Sequence, residues 1–127
     1  MMRRTGIFLI SAVFMISAAE AQMEPAKIGN TSKGKALVND KGMTLYVFDK
    51  DAPGKSACNG TCADNWPALL AFDTDKGSGN WSIVVRDDGK KMWAYKGRPL
   101  YVWKNDKAPG DTDGDGKLNG AWHIATP

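Results

Sequence analysis

The residue types in this chain that could carry metal or redox chemistry are two cysteines and a single histidine. Cys58 and Cys62 are separated by three residues, and an even, closely spaced pair in an oxidising compartment favours a structural disulfide. Two alternatives remain open, namely a soft-metal site and a redox-active dithiol. A metal site would need His123 beside both sulfurs, and one histidine with two cysteines is a sparse ligand set.

An aspartate- and glycine-rich stretch near the end of the sequence has the spacing of a calcium-binding loop. Four side chains supply oxygens at positions 1, 3, 5 and 9: Asp111, Asp113, Asp115 and Asn119. Position 12 is Trp122, where such a loop has a bidentate glutamate, so we expect weak affinity unless Asp106 or a distant acid completes the shell. The alternative is a plain turn, and apart from calcium no cofactor is expected.

A tyrosine followed five residues later by an aspartate occurs twice in similar surroundings. The pairs are Tyr46 with Asp51 and Tyr101 with Asp106, each in an apolar strand-like run that is followed by a Pro-Gly dipeptide. The four side chains could bind a ligand. Because the chain turns at each aspartate, the spacing favours a structural role, in which the carboxylate caps the loop or bonds to amides or to the tyrosine hydroxyl.

Five tryptophans and three tyrosines are many for a domain of this size. We expect some of these rings to be partly exposed and to form a groove for a sugar, peptide or partner strand. The expected groove residues are Trp66, Trp103, Trp122 and His123. The alternatives are that the rings cover both faces of a thin sheet and that the histidine is an ordinary surface or core residue.

Alternating apolar residues and turn sequences predict an all-β fold, mainly antiparallel. Segments 35–38 and 43–48 flank a turn sequence at 39–42 and are typical of a β-hairpin. Residues 81–103 are predicted to form a three-stranded meander. The remaining expectations are a short helical turn near Cys62 and Trp66, a loop over 111–120 and a last strand over 121–124.

The two tyrosine motifs align at an offset of 55 residues, and the alignment places Trp66 within one residue of Trp122. Two such repeats can bury a common core that neither builds alone. We therefore predict one small pseudo-twofold domain of hairpins and meander, sandwich- or barrel-like, over 35–127. Its repeats are expected at about 35–80 and 81–127, after an extended lead-in over 22–34.

Residues 1–21 have the three parts of a secretory signal peptide. A basic start at Arg3 and Arg4 precedes an apolar run over 7–17 and a small-residue cleavage site at Ala19 and Ala21. The run is well short of the roughly 20 residues that span a bilayer, so we expect cleavage rather than a membrane anchor. No cysteine for lipid attachment lies near the cleavage site, and the mature chain is expected in the periplasm or the medium.

These motifs together resemble the bacterial secreted-repeat family with the Tyr-x4-Asp motif, also called predicted lipoproteins. The resemblance rests on the two tyrosine motifs, the Cys-x-Gly-x-Cys-Ala-x-x-Trp-Pro spelling that ends at Pro67, the turn at 86–89 and the Gly-rich stretch from Pro109 to Trp122. It implies an exported β-rich repeat protein of unassigned activity. Because this chain lacks the lipidation cysteine, membrane anchoring is not carried over.

Composition narrows the classes of function. The formal net charge is +3, and the basic residues are scattered among acids without the clustered stripe that nucleic-acid binding needs. No nucleophile elbow or close histidine partner favours a hydrolase. The leading interpretation is a non-enzymatic, envelope-associated binding module for a small molecule, glycan or envelope protein. The alternative is a periplasmic metal-handling or thiol-redox protein that uses Cys58, Cys62 and His123.

Overall fold

A computed structural model describes residues 24–127, and the predicted signal peptide lies outside the described residues. The fold is mainly antiparallel β, as predicted, with two short helical segments among the described residues. In chain order the elements are β1 Lys27–Thr31, β2 Gly34–Val38, β3 Tyr46–Phe48, α1 Thr61–Asn65, β4 Trp81–Val85, β5 Lys91–Tyr95, β6 Arg98–Pro99, α2 Lys117–Gly120 and β7 Trp122–Ile124. Within this range no helix is long and apolar enough to cross a membrane.

The first hairpin begins inside the segment that was expected to be a lead-in. β1 pairs antiparallel with β2, from Lys27 opposite Val38 to Thr31 opposite Gly34. The predicted partner of 35–38 makes a smaller contribution, through a bridge between Val38 and Thr44. β1 carries little apolar alternation, and its Gly29 leaves the space that Val38 fills, since an added Cβ would lie 2.9 Å from the Val38 methyls. The folded domain therefore includes residues 27–34.

The predicted meander is present as β4, β5 and β6. A tight turn joins β5 to β6, and both of its residues have positive φ, 53° at Lys96 and 83° at Gly97, as a two-residue hairpin turn requires. β6 is shorter than expected and ends at Pro99. Leu100 still donates its N–H to Trp93 O of β5 at 3.1 Å, and the next residue, Tyr101, pairs with Tyr46 instead.

The two repeats exchange their last strands. β7, at the end of the second repeat, pairs with β3 of the first. In the same way residues 67–69 of the first repeat pair with residues 100–102, the segment around Tyr101. The hydrogen bonds run from Leu69 N–H to Leu100 O at 2.9 Å and from Val102 N–H to Pro67 O at 2.8 Å. Tyr46 and Tyr101 bond to each other at the centre, with N···O distances of 2.7 and 3.0 Å. The β3–β7 sheet therefore combines strands of both repeats, whereas β1–β2 and β4–β5–β6 each lie within one repeat.

Two clusters of buried side chains form the core. The larger contains both motif tyrosines and the two repeat-related tryptophans: Tyr46, Phe48, Cys58, Trp66, Val84, Met92, Ala94, Tyr101 and Trp122. The smaller contains Ala26, Leu37, Leu45, Val47, Leu100 and Ala125. The aliphatic residues on either side of each tyrosine thus enter one cluster while the tyrosine enters the other, because successive side chains of a strand alternate between faces.

The helical segments differ in how well the sequence predicts them. α1 at Thr61–Asn65 matches the expected turn near Cys62 and Trp66. α2 was not expected, because its residues Leu118 and Asn119 have left-handed backbone angles, with φ of 58° and 56°. Left-handed residues carry no helical sequence pattern, so the stretch over 111–120 looked like loop alone.

Candidate functional site

Each motif tyrosine bonds to the aspartate of the other repeat rather than to the one in its own motif. The Tyr46 hydroxyl donates to Asp106 Oδ2 at 2.7 Å, and the Tyr101 hydroxyl donates to Asp51 Oδ2, also at 2.7 Å. The sequence predicted that the carboxylate bonds to amides or a tyrosine. Both occur, but each hydroxyl comes from the other copy of the motif. The spacing of five therefore serves a contact between repeats.

The second oxygen of each motif aspartate holds the loop that follows it. Asp51 Oδ1 accepts the Ala57 N–H at 2.7 Å, and Asp106 Oδ1 accepts the Asp113 N–H at 2.9 Å. Burial raises the pKa of both carboxyls above the ordinary value, and it raises the pKa of Tyr46 and Tyr101 as well. These four groups use their hydrogen-bonding capacity inside the protein, which is the pattern of a scaffold.

The two cysteines form a disulfide, as the sequence favoured, with a Cα–Cα distance of 5.2 Å. Cys58 is buried in the larger core cluster, and Cys62 packs against that cluster at the start of α1. The bond fixes the turn that brings Trp66 into the core. Both sulfurs are engaged in the disulfide, so the thiolate pair that the metal-handling alternative requires is absent here.

The acidic loop brings together a different set of carboxylates from the predicted one. Oxygens of Asp106, Asp111 and Asp113 lie within 4.8 Å of one another, and among the described residues this is the group of three that could hold a metal ion. Asp115 is not part of the group and pairs with Lys33 Nζ at 3.0 Å. Asn119 lies in the left-handed part of α2.

The carboxylates of Asp106 and Asp111 in this acidic group already accept hydrogen bonds from the loop. Asp111 Oδ2 accepts the N–H groups of Lys107 and Ala108 at 2.8 and 2.9 Å, and these bonds hold the pKa of the Asp111 carboxyl below its usual range. Asp106 accepts from Tyr46 and from the Asp113 amide. The arrangement therefore accounts for a shaped loop without a cation.

The four residues expected to form an aromatic groove do not do so. Trp66 and Trp122 are 5% and 1% exposed, and their rings stack with centroids 3.7 Å apart. Trp103 is half-buried against Trp66, with Lys117 Nζ 5.2 Å from its ring centre. His123 is exposed and bonds to Asp49 through Nε2 at 2.7 Å. The repeat-related tryptophans are core residues: Trp122 begins β7, and Trp66 directly precedes the segment 67–69 that pairs with the other repeat.

A different set of aromatic rings forms a cleft, on the outer face of the meander. Val84, Met92 and Ala94 point into the larger core cluster, so the residues of opposite parity on β4 and β5 lie on the other face of the meander, where Trp81 and Tyr95 pack partly buried against the smaller cluster. Trp81 lies opposite Tyr95 in the strand pairing, with ring centroids 4.9 Å apart, and meets Trp93 edge-on at 6.2 Å. We call this site the aromatic cleft, with Trp81, Trp93 and Tyr95 as its floor.

The walls of the aromatic cleft come from two segments beside the sheet. They border an open cleft of about 810 Å³ and consist of Glu24, Pro25, Thr74, Asp75, Lys76, Ser78, Gly79 and Asn80. The wall over 74–80 is held in place by reciprocal backbone bonds between Ser78 and Trp81, at 2.8 and 3.0 Å. Gly77 packs so closely on β4 that an added Cβ would lie 2.6 Å from the Trp81 carbonyl oxygen. The wall is thus tied to the floor.

Most polar side chains of the aromatic cleft are free to bond a ligand. Asp75 uses one oxygen to accept the Phe72 N–H at 2.7 Å. The other hydrogen-bonding side chains make no such bond to another described residue: Glu24, Thr74, Lys76, Ser78, Asn80, Trp81, Trp93 and Tyr95. The motif tyrosines and aspartates already form hydrogen bonds within the protein, so the two sites differ in whether their polar groups are available to a ligand.

The motif residues occur in both repeats, whereas the floor residues of the aromatic cleft occur in the second repeat alone. At the offset of 55 residues the motif pairs coincide, Tyr46 with Tyr101 and Asp51 with Asp106. The floor residues have no such counterparts: Trp81, Trp93 and Tyr95 fall on Ala26, Val38 and Asp40. Their alternation in two adjacent predicted strands was a signal for one shared face, but sequence reasoning placed the groove on the tryptophans near the loops.

The comparisons with known proteins agree with the repeat architecture. A family model described as a secreted repeat of unknown function matches residues 27–70 and again 82–126. The matched segments begin 55 residues apart and leave 71–81 between them, which includes the wall of the aromatic cleft over 74–80. No curated protein and no solved structure matches the chain. Two matched repeats cover most of the sequence, and the chain therefore belongs to this family of secreted repeats of unknown function.

Proposed function

We propose that this protein is an exported, non-enzymatic binding module of the bacterial envelope and that its ligand binds in the aromatic cleft. The observation that carries the proposal is the contrast in hydrogen bonding. The motif tyrosines and aspartates are paired with one another, whereas the cleft combines three half-buried rings with polar side chains that have no described hydrogen-bond partner. Binding sites typically pair an apolar floor with a few placed polar groups.

The shape of the cleft supports specific binding. Its volume of about 810 Å³ lies within the range of roughly 300–1,000 Å³ that ligand sites occupy. The floor lies on two paired strands, and the wall is tied to β4 by backbone bonds. A preformed site of this kind costs less ordering on binding than a mobile loop would.

The chemistry of the cleft supports binding more than catalysis. Its charged groups are Glu24, Asp75 and Lys76, and none of them forms a hydrogen bond to a nucleophile in the described structure. The histidine that could serve as a base, His123, lines a separate pocket and is paired with Asp49. Covalent catalysis by a base-activated side chain would need a base and a nucleophile within hydrogen-bond reach of one another.

The proposal is tested by asking which envelope material the purified protein binds. Soluble small molecules, polysaccharide, membrane vesicles and insoluble wall would be separated, and each fraction incubated with wild type, Trp93→Ala and Phe72→Ala. Phe72 is 77% exposed and does not line the cleft, so it is a matched aromatic control. We expect one fraction to bind wild type and Phe72→Ala but not Trp93→Ala. Equal binding by all three proteins would contradict a ligand site in the cleft.

A further inference from the structure

We propose that the ligand of the aromatic cleft is a neutral glycan, with sugar rings stacked on the floor and hydroxyls bonded to the wall. This inference rests on the proposed function and names the chemical class of the ligand. A sugar ring has faces of C–H groups and an edge of hydroxyls. The cleft offers a matching surface for each, because an aromatic face carries the partial negative charge that C–H groups prefer.

The wall is rich in groups that bond hydroxyls in both directions. Ser78 and Asn80 donate and accept, Asp75 keeps an oxygen that accepts no bond within the described residues, and Lys76 donates. A purely apolar ligand would desolvate these groups without pairing them, which costs binding energy. A ligand that carries many hydroxyls satisfies them.

The charge of the cleft disfavours a strongly anionic ligand. Glu24 and Asp75 carry negative charges and Lys76 a positive one, so the lining has no excess of cations to receive phosphate or sulfate. A neutral ligand avoids repulsion from the two carboxylates. Its size also fits, since about 810 Å³ is in the upper part of the range for ligand sites and leaves space for more than one ring.

The position of the wall indicates which part of the chain selects the glycan. Residues 74–80 fall between the two matched repeats, and the floor residues differ from their counterparts in the first repeat. The repeats build the sheet, and the segment between them adds the polar edge. Specificity would therefore reside in 74–80.

The test uses intrinsic tryptophan fluorescence and calorimetry on the full mature chain. The probes are neutral oligosaccharides, namely N-acetylglucosamine oligomers, cello-oligosaccharides and malto-oligosaccharides. A sulfated oligosaccharide and an aromatic peptide of similar size serve as ligands of other classes. The variants are Trp93→Ala, Trp93→Phe, Asn80→Ala and the control Phe72→Ala.

We expect a neutral oligosaccharide to bind wild type and Phe72→Ala alike, to bind Trp93→Ala about tenfold more weakly, and to recover most of its affinity in Trp93→Phe. Asn80→Ala should weaken binding severalfold, and because Asn80 is exposed this variant remains informative if Trp93→Ala fails to fold. If only the peptide or the sulfated sugar binds, and Trp93→Ala abolishes that binding, the ligand class is wrong although the aromatic cleft remains the binding site. Neutral-sugar binding that none of the cleft variants changes would also overturn this inference.

Discussion

The side chains of Tyr46 and Tyr101 hold the two repeats together at a single point each. Both are fully buried, and each hydroxyl lies 2.7 Å from the carboxylate of the other repeat. Each hydroxyl has a second partner, since Tyr46 accepts the Gly114 N–H at 3.2 Å and Tyr101 bonds to Ser56 at 2.6 Å. A buried or half-buried carboxylate that loses its donor costs free energy, so the tyrosines and aspartates depend on each other.

Removal of either motif hydroxyl should destabilise the protein. We expect Tyr46→Phe and Tyr101→Phe each to lower the free energy of unfolding by about 1–3 kcal/mol, because the first leaves the buried Asp106 carboxylate and the second the half-buried Asp51 carboxylate with one partner fewer. Tyr95→Phe is the matched control, since its hydroxyl bonds to no described residue, and it should stay within about 0.5 kcal/mol of wild type. Urea denaturation measures all three. Equal effects at the three positions would contradict the role assigned to the motif.

The motif tyrosines should also limit stability at alkaline pH. Burial is the largest cause that raises the pKa of Tyr46 and Tyr101, and the aspartate partner of each raises it further. The unfolded chain loses these protons near the ordinary value of about 10, whereas the folded chain keeps them. The folded state then binds more protons, so stability falls as pH rises above about 10.

An alkaline titration followed by tyrosinate absorbance and circular dichroism measures this effect. We expect two of the three tyrosines to ionise only as the protein unfolds, and the double variant Tyr46→Phe/Tyr101→Phe to lose less of its own stability over the same pH range. Ionisation of all three tyrosines while the circular dichroism stays native would show that the hydroxyls are not held as described.

At the scale of elements, the two repeats differ mainly in the loop after the motif aspartate. The first loop carries the disulfide and α1, and the second carries the acidic group and α2. Closing so short a loop by a disulfide contributes about 2 kcal/mol in the chain-entropy model. The second loop has no disulfide, and hydrogen bonds from backbone N–H groups to the carboxylates of Asp106 and Asp111 hold its shape instead. The disulfide and these hydrogen bonds each stabilise the loop that precedes a core tryptophan, Trp66 in the first repeat and Trp122 in the second.

Calcium should have little effect on the second loop. A calcium site needs six to eight oxygens, and two of the three carboxylates, those of Asp106 and Asp111, already accept hydrogen bonds. We expect millimolar calcium to leave the melting temperature of chelator-treated protein nearly unchanged, with magnesium as the control. A calcium-specific rise equivalent to about 2.7 kcal/mol, abolished in Asp113→Asn, would establish a site with a Kd a hundredfold below the calcium concentration.

For the whole molecule, the exchange of strands makes two repeats into one folding unit. β3 pairs with β7, and residues 67–69 pair with residues 100–102. Each motif tyrosine also bonds to the motif aspartate of the other repeat. In a linear array each repeat contacts its neighbour across one interface and contributes its own stability. Here the larger core cluster contains residues of both repeats, and so it cannot form in one repeat alone.

Unfolding should therefore be a single cooperative transition. We expect denaturation curves from circular dichroism, which reports the strands, to coincide with those from tryptophan fluorescence, which reports the core and the cleft. The same coincidence should hold for Tyr101→Phe at a lower midpoint. Two separated transitions, one for each repeat, would contradict the interlocked core.

The sequence by itself determined the local features of the protein. The alternation in 81–95, the turn residues after it, the cysteine pair and the helical turn before Trp66 were all predictable, because each depends on neighbours in the chain. The repeat and its family were also predictable, since both depend on spacing. The structural role of the tyrosine motif followed from its position at a turn.

Only the tertiary structure decided which repeat each partner comes from. A strand has the same apolar pattern whether it pairs within its own repeat or with the other one, so the exchange of β7 and of the motif hydroxyls leaves no local trace. For the same reason the sequence could not tell that Trp66 and Trp122 stack in the core. Once those rings are buried, the half-buried Trp81, Trp93 and Tyr95 remain, and they line the cleft on which the proposed function rests.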